Sequence, residues 1–195
     1  MKDYSKYMVV IFSLNEPTSD LSEYCFRKLG FENIVVLNDQ SSFVEKFIKF
    51  SEIVNDTNYE YYIRSDSDRF VFNGMCDLVD YVDPSFEHFE GYGFDYFMNK
   101  FRGGTPQIYH RDVLLRLYND KNLIRNVPKP ESTFVHKISI KSNHGTPESI
   151  RAWSQPSRIF TNLHDYFQMP SKVCNTFLNR MIRDGTVHYD MNHIK

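Results

Sequence analysis

A chain of 195 residues with a net charge of −2 is long enough for one domain with a sizeable core. The charge is ordinary and no basic stripe runs along the chain, so nucleic-acid binding has no electrostatic support. The cysteines Cys25, Cys76 and Cys174 are few, odd in number and far apart, which excludes a disulfide framework and a cysteine metal site and predicts buried thiols in a reducing compartment.

The start, Met1 to Tyr7, is polar and the apolar run Tyr7 to Leu14 is short, which reads as neither a signal peptide nor a membrane span. The expectation is a soluble cytoplasmic protein without a transmembrane segment, with peripheral membrane contact left open. That apolar run, ended by Asn15-Glu16-Pro17, predicts a buried first strand. Thr18-Ser19-Asp20 can cap a helix running to Leu29, stopped by Gly30. Asn33 to Leu37 predicts a second strand. After Asn38-Asp39-Gln40-Ser41-Ser42, the residues Phe43, Phe47, Phe50 and Val54 recur at helical spacing. Tyr59 to Ser65 predicts a third strand. The order is β-α-β-α-β, and strands apolar on both faces predict a parallel sheet covered by helices.

Beyond it the pattern weakens. Arg69 to Phe72 predicts a short strand, Gly74 to Val82 a helix ended by Pro84, and Arg102 to Pro106 a loop. Phe86 to Phe101 is aromatic and ambiguous. Gln107 to Tyr109 predicts a strand and His110 to Asn119 a helix with Val113, Leu114 and Leu117 inward. His144 to Glu148 predicts a loop and helix start, with Pro147 at the first helical position. Ser157 to Asp184 reads as mostly helical, broken near Pro170. No repeat, low-complexity segment or domain linker is present.

Chemistry concentrates where the third strand ends. Tyr59-Glu60-Tyr61-Tyr62-Ile63-Arg64-Ser65 runs into Asp66-Ser67-Asp68, two carboxylates spaced i, i+2. Such a pair can converge on a hard divalent cation shared with substrate phosphates, Mg²⁺ or Mn²⁺. Strand carboxyl ends are also where open α/β sheets bind ligands. The bland alternative is a turn cap. A calcium loop is excluded, because Val71 stands where its glycine is required and Asp77 where its bidentate glutamate is.

These residues together resemble the nucleotide-sugar glycosyltransferases of the GT-A fold, most like the family 2 type. Leu37-Asn38-Asp39-Gln40-Ser41 is similar to the turn Asp-Asp-Gly-Ser that ends the second strand there, with Asn38 for the first Asp and Gln40 for Gly. Asp66-Ser67-Asp68 resembles the Asp-X-Asp metal motif, and Gly103-Gly104-Thr105-Pro106-Gln107 the Gly-rich acceptor-side segment. The likeness covers residues 7 to 115 best.

The resemblance implies a single α/β domain over residues 1–195, with a Rossmann-like, mostly parallel sheet flanked by helices. A nucleotide-sugar-binding half would end near residue 100 and an acceptor-binding half follow. Ser13, Leu14 and Asn15 would line the nucleotide, beside Gly103 and Gly104 on the acceptor side. Asp39 would accept the imide N–H of uracil or thymine. Arg64 would pair with Asp39 or the donor phosphates. Asp66, with Ser67, would contact ribose or metal-bound water, and Asp68 would ligate Mn²⁺ or Mg²⁺, completed by His164 with Asp165 orienting its ring; His144 and His188 compete. Glu148 would be the catalytic base, with Asp165 its rival and Glu131 behind. For each, an ordinary cap, ion pair or helix-end charge is the competing role.

The function so implied is metal-dependent transfer of a sugar, inverting by family type, from a UDP- or dTDP-linked donor to a hydroxyl of a glycan or glycoprotein. The alternatives are a sugar-phosphate nucleotidyltransferase, against which stands the absence of a Gly-rich basic loop after the first strand, and an inactive GT-A-fold binding module.

Overall fold

The computed structural model describes residues 3–16, 18–67, 69–71, 74–80, 82–95, 100–125, 134 and 142–143. Its elements, in chain order, are β1 Tyr7–Ser13, α1 Ser19–Lys28, β2 Ile34–Asn38, α2 Phe43–Asp56, β3 Tyr61–Asp66, α3 Gly74–Asp80, β4 His88–Asp95, β5 Lys100–His110, α4 Arg111–Asn119, a 3₁₀ turn Lys121–Leu123 and β6 Ser142–Asn143. The strands form one sheet in the order β2-β1-β3-β5-β4-β6. β1 runs parallel to β2 and β3, and β4 to β6; β5 is antiparallel to β3 and β4. The protein is thus α/β, with a mostly parallel central sheet flanked by helices, as the alternation of apolar strands and helical spacing predicts.

All of β1 is buried, because both faces of the sheet are covered. Tyr7, Val9 and Ile11 point to one side, where Leu21 and Phe26 of α1 and Met75 and Leu78 of α3 join them. Met8, Val10 and Phe12 point to the other, against Phe47, Phe50 and Val54 of α2 and Val113, Leu114 and Leu117 of α4. Phe47 is central there: its ring lies 5.4–6.1 Å from those of Phe12, Phe43, Phe50, Tyr109 and Phe134.

The helix ends follow local chemistry. Ser42 caps α2 by accepting the Glu45 N–H, while the Glu45 carboxylate accepts the Ser42 N–H. Thr18 precedes α1 without making a side-chain cap. After α1, Gly30 adopts φ +97°, a left-handed conformation that favours glycine. His110 caps α4, accepting the Asp112 N–H at its Nδ1. Cys25 is a buried free thiol whose pKa burial raises to about 11, and Cys76 is a half-buried thiol.

Three local expectations change. Residues Arg102 to Pro106 belong to β5 rather than a loop. The β4–β5 register shifts between Glu90 and Gly91, from Glu90 opposite Gln107 to Gly91 opposite Gly104, so Thr105 and Pro106 fall in a bulge. A bulge accepts a proline without a ladder donor. The ambiguous aromatic stretch is in part β4, which pairs antiparallel with the next strand, β5. Arg69 to Val71 is irregular chain, not a strand. The region read as helical from Ser157 to Asp184, and the helix start at Pro147, lie outside the described residues.

Candidate functional site

The chain moves from β1 to β2 on one side and then crosses to β3 on the other, so the strand order reverses at β1. The crevice beyond the carboxyl ends of β1 and β3 is the ligand position expected of an open α/β sheet. Register sets Ser13 beside Asn38 and Phe12 beside Asp66. The Ser67 N–H donates to the Phe12 carbonyl at 2.9 Å, and the Asp39 N–H to the Ser13 carbonyl at 3.3 Å. The three strands therefore end side by side.

Ser13 is buried at the floor of this edge. Its hydroxyl donates to Asn38 Oδ1 at 2.9 Å, accepts the Glu16 N–H at 3.1 Å and lies 2.5 Å from the Ser19 hydroxyl. Ser13 thus serves to shape the turn after β1. Asn15 takes a left-handed φ of 60°, which asparagine tolerates better than most residues. Leu14 projects into solvent, and its carbonyl accepts the Gln40 side-chain amide at 2.9 Å. The loops after β1 and β2 are in this way one bonded surface.

Asp39 lies in the second of those loops. Its Oδ1 accepts Lys46 Nζ at 2.8 Å and the Ser41 N–H at 2.8 Å; its Oδ2 accepts Lys49 Nζ at 2.6 Å. Lys46, then Lys49 and Ser41, hold its carboxyl well below the usual carboxylate range. Lys46 also donates to the carbonyls of Ser13 at 2.7 Å and Asp39 at 2.6 Å, with that of Leu37 at 3.4 Å.

Arg64 does not pair with Asp39. Residues 62, 64 and 66 share one face of β3, and Arg64 Nη2 bonds Asp66 Oδ1, two residues on. Arg64 Nη1 donates to Gln107 Oε1 at 3.2 Å, across the β3–β5 pairing, and Tyr109 donates to the same oxygen at 2.8 Å. The guanidinium is buried, with its centre 4.7 Å from the Phe43 ring, 5.1 Å from Phe12 and 5.8 Å from Phe47. An arginine so enclosed cannot swing out to a ligand without leaving three aromatic contacts. Asp39 lies instead with the α2 lysines, because the loop after β2 folds over the start of α2.

Asp66 stays half-exposed at the end of β3, and Ser67 is buried behind it. A cation shared with substrate phosphates can be held by one carboxylate; Asp66 could supply it, with one of its oxygens already bonded by Arg64. Among the described residues no group of three or more His, Cys, Asp or Glu side chains gathers as a metal site. Gly103 and Gly104 lie in β5, opposite Tyr92 and Gly91. Asp68, Glu131, His144, Glu148, His164, Asp165 and His188 lie outside the described residues.

Lys46, Lys49, Asn38 and Gln107 complete this edge and were not singled out from the sequence. Lys46 carries a signal there: three after Phe43 and four before Phe50, it falls within the apolar stripe of α2. Gln107 carries none, since its partner Arg64 is brought to it only by antiparallel pairing.

No protein-family model matches the chain, and no curated protein sequence matches it. Solved structures are similar in fold. A197 from STIV aligns with a TM-score of 0.53 at 8% identity, covering 70% of this chain and 80% of A197. A 4-diphosphocytidyl-2C-methyl-D-erythritol synthase from Anaerococcus prevotii aligns with a TM-score of 0.52 at 10% identity, covering 84% of this chain and 99% of the synthase. At these identities the likeness shows the fold alone. No described helix is long and apolar enough to cross a membrane.

Proposed function

We propose that the chain is a transferase that binds a nucleotide in the crevice at the carboxyl ends of β1, β2 and β3. The observation that carries this reading is the reversal of strand order at β1, with Ser13, Asn38 and Asp66 on adjacent strand ends around it. Asp39 would accept a hydrogen bond from the base. Asp66 and Asp68 would hold Mg²⁺ or Mn²⁺, which when bound neutralises charge on the phosphates. Arg64 would hold the Asp66 carboxylate in place through their ion pair, rather than touch phosphate itself.

Of two reactions, nucleotidyl transfer to a phosphorylated sugar or polyol has the better support from known folds: the synthase similar over 84% of this chain is named for a diphosphocytidyl product. Glycosyl transfer from a nucleoside-diphosphate sugar to a glycan or glycoprotein is the second reading. It is favoured by Ser13-Leu14-Asn15-Glu16, a loop with no lysine or arginine to meet a triphosphate. In that reaction Gly103 and Gly104 would flank the acceptor, Glu148 or Asp165 would take the hydroxyl proton, and His164 would join the metal ligands.

Product analysis separates them. Purified protein with Mg²⁺ or Mn²⁺ is given nucleoside triphosphates with sugar phosphates, or nucleotide sugars with candidate acceptors. Pyrophosphate release that requires a sugar phosphate supports nucleotidyl transfer. Release of nucleoside diphosphate that requires an acceptor supports glycosyl transfer. Absence of nucleotide binding in either mixture removes the proposal.

A further inference from the structure

Lys46 is the least ordinary side chain at this edge. It projects from the apolar face of α2, and its side chain is only 3% exposed. Lysine is almost never fully buried unless paired, and the loss of hydration must be offset by close partners. An ammonium has three protons. Four acceptors surround it, the three nearer ones being the Ser13 carbonyl at 2.7 Å, the Asp39 carbonyl at 2.6 Å and Asp39 Oδ1 at 2.8 Å, with the Leu37 carbonyl at 3.4 Å. One side chain thus joins the last residue of β1, the backbone after β2 and one oxygen of Asp39.

The consequence falls on the other oxygen. Lys46 and the Ser41 N–H fill Oδ1; the Asp39 side chain is half-exposed, and among the described residues Oδ2 accepts from Lys49. A carboxylate oxygen has two lone-pair sites, so Oδ2 keeps one for a ligand. A methionine or leucine at position 46 would fill the same face of α2 but would remove the tie between Asp39 and the end of β1, leaving the Ser41 N–H and Lys49 to hold the carboxylate.

We propose that Lys46 is a positioning residue for nucleobase recognition: by locking Asp39 Oδ1 to the end of β1, it aims Oδ2 at the base. This rests on the reading of Asp39 as base acceptor. Lys46 touches no base itself and acts through Asp39.

The test compares affinities of uridine diphosphate, guanosine diphosphate and pyrophosphate, each with Mg²⁺, by calorimetry. In Lys46→Met the uridine-to-guanosine affinity ratio should collapse by roughly tenfold, the scale of one lost charge-assisted hydrogen bond, with pyrophosphate binding unchanged. In an Asp39→Ala background, Lys46→Met should leave the ratio where it was. Equal loss for all three ligands would mark Lys46 as purely structural and overturn the proposal. A wild type that binds nucleotides without preference overturns it too. A wild type that binds none removes the functional reading itself, and the inference with it. Should Lys46→Met fail to unfold cooperatively, wild-type protein suffices. The Lys46 ammonium resonances, observed by ¹⁵N NMR, should shift with uridine diphosphate and not with pyrophosphate. Equal shifts with both would overturn the proposal.

Discussion

Asp39 and Asp66 are each held by neighbouring cations, Asp39 by Lys46 and Lys49 and Asp66 by Arg64. Asp39 is a depressed carboxylate, so its charge contributes stability above its unfolded value of about 3.9, lost as pH falls toward the lower folded value. Asp39→Asn should therefore lower the melting temperature at neutral pH, and the gap from wild type should narrow as pH falls below about 4. A gap constant down to pH 2, by scanning calorimetry, would show that the lysine contacts carry no net stability. Asp66 is the counter-ion of the buried Arg64. Asp66→Asn should cost about 1 kcal/mol, discounted because Asp66 is partly exposed. It should also remove the Mg²⁺ dependence of nucleotide affinity; unchanged dependence would confine Asp66 to the ion pair.

At the scale of the elements, α2 matters most, since it supplies both the core wedge of Phe47 and Phe50 and the lysines of the strand-end network. Its start is set by the Ser42–Glu45 box, which satisfies two backbone donors. Ser42→Ala should cost about 1 kcal/mol, or roughly 2–4 °C in melting temperature for a chain of this size. No change would mean that packing alone holds the helix start. Gly30 ends the turn after α1. A Cβ there would meet Tyr4 ring carbons at 3.6 Å, ordinary contact, so space is not the obstacle. The cost of Gly30→Ala comes from φ +97° and should be about 1 kcal/mol. A much larger loss would point to a clash.

At the scale of the molecule, β1 and β3 are buried on both faces, and their carboxyl edge is where loops from β1, β2 and β3 meet. Ligand binding there should stabilise the native state by mass action. A nucleotide with Mg²⁺ at a hundred times its dissociation constant should add about 2.7 kcal/mol, or roughly 5–10 °C. A thermal-shift panel of uridine, cytidine and guanosine nucleotides, with and without Mg²⁺, reads this directly. Flat responses throughout would argue against any nucleotide function.

The first 66 residues declare their own structure. The runs Tyr7 to Leu14, Asn33 to Leu37 and Tyr59 to Ser65 are apolar on both faces, and the Phe43, Phe47, Phe50, Val54 spacing is helical, because burial selects residues by the period of the local backbone. Asp66 was legible for the same reason, as the first carboxylate after a hydrophobic strand. What tertiary structure decided depends on which elements come to lie against one another. Arg64 turns to Asp66 and Gln107 because β5 pairs antiparallel with β3. The glycines at 103 and 104 extend into β5 because β4 offers a partner and a bulge absorbs Pro106. Asp39 is held by Lys46 and Lys49 because a loop folds back over the first turns of α2. Periodicity records which side of an element is buried; it holds no record of which strand or helix will lie against it.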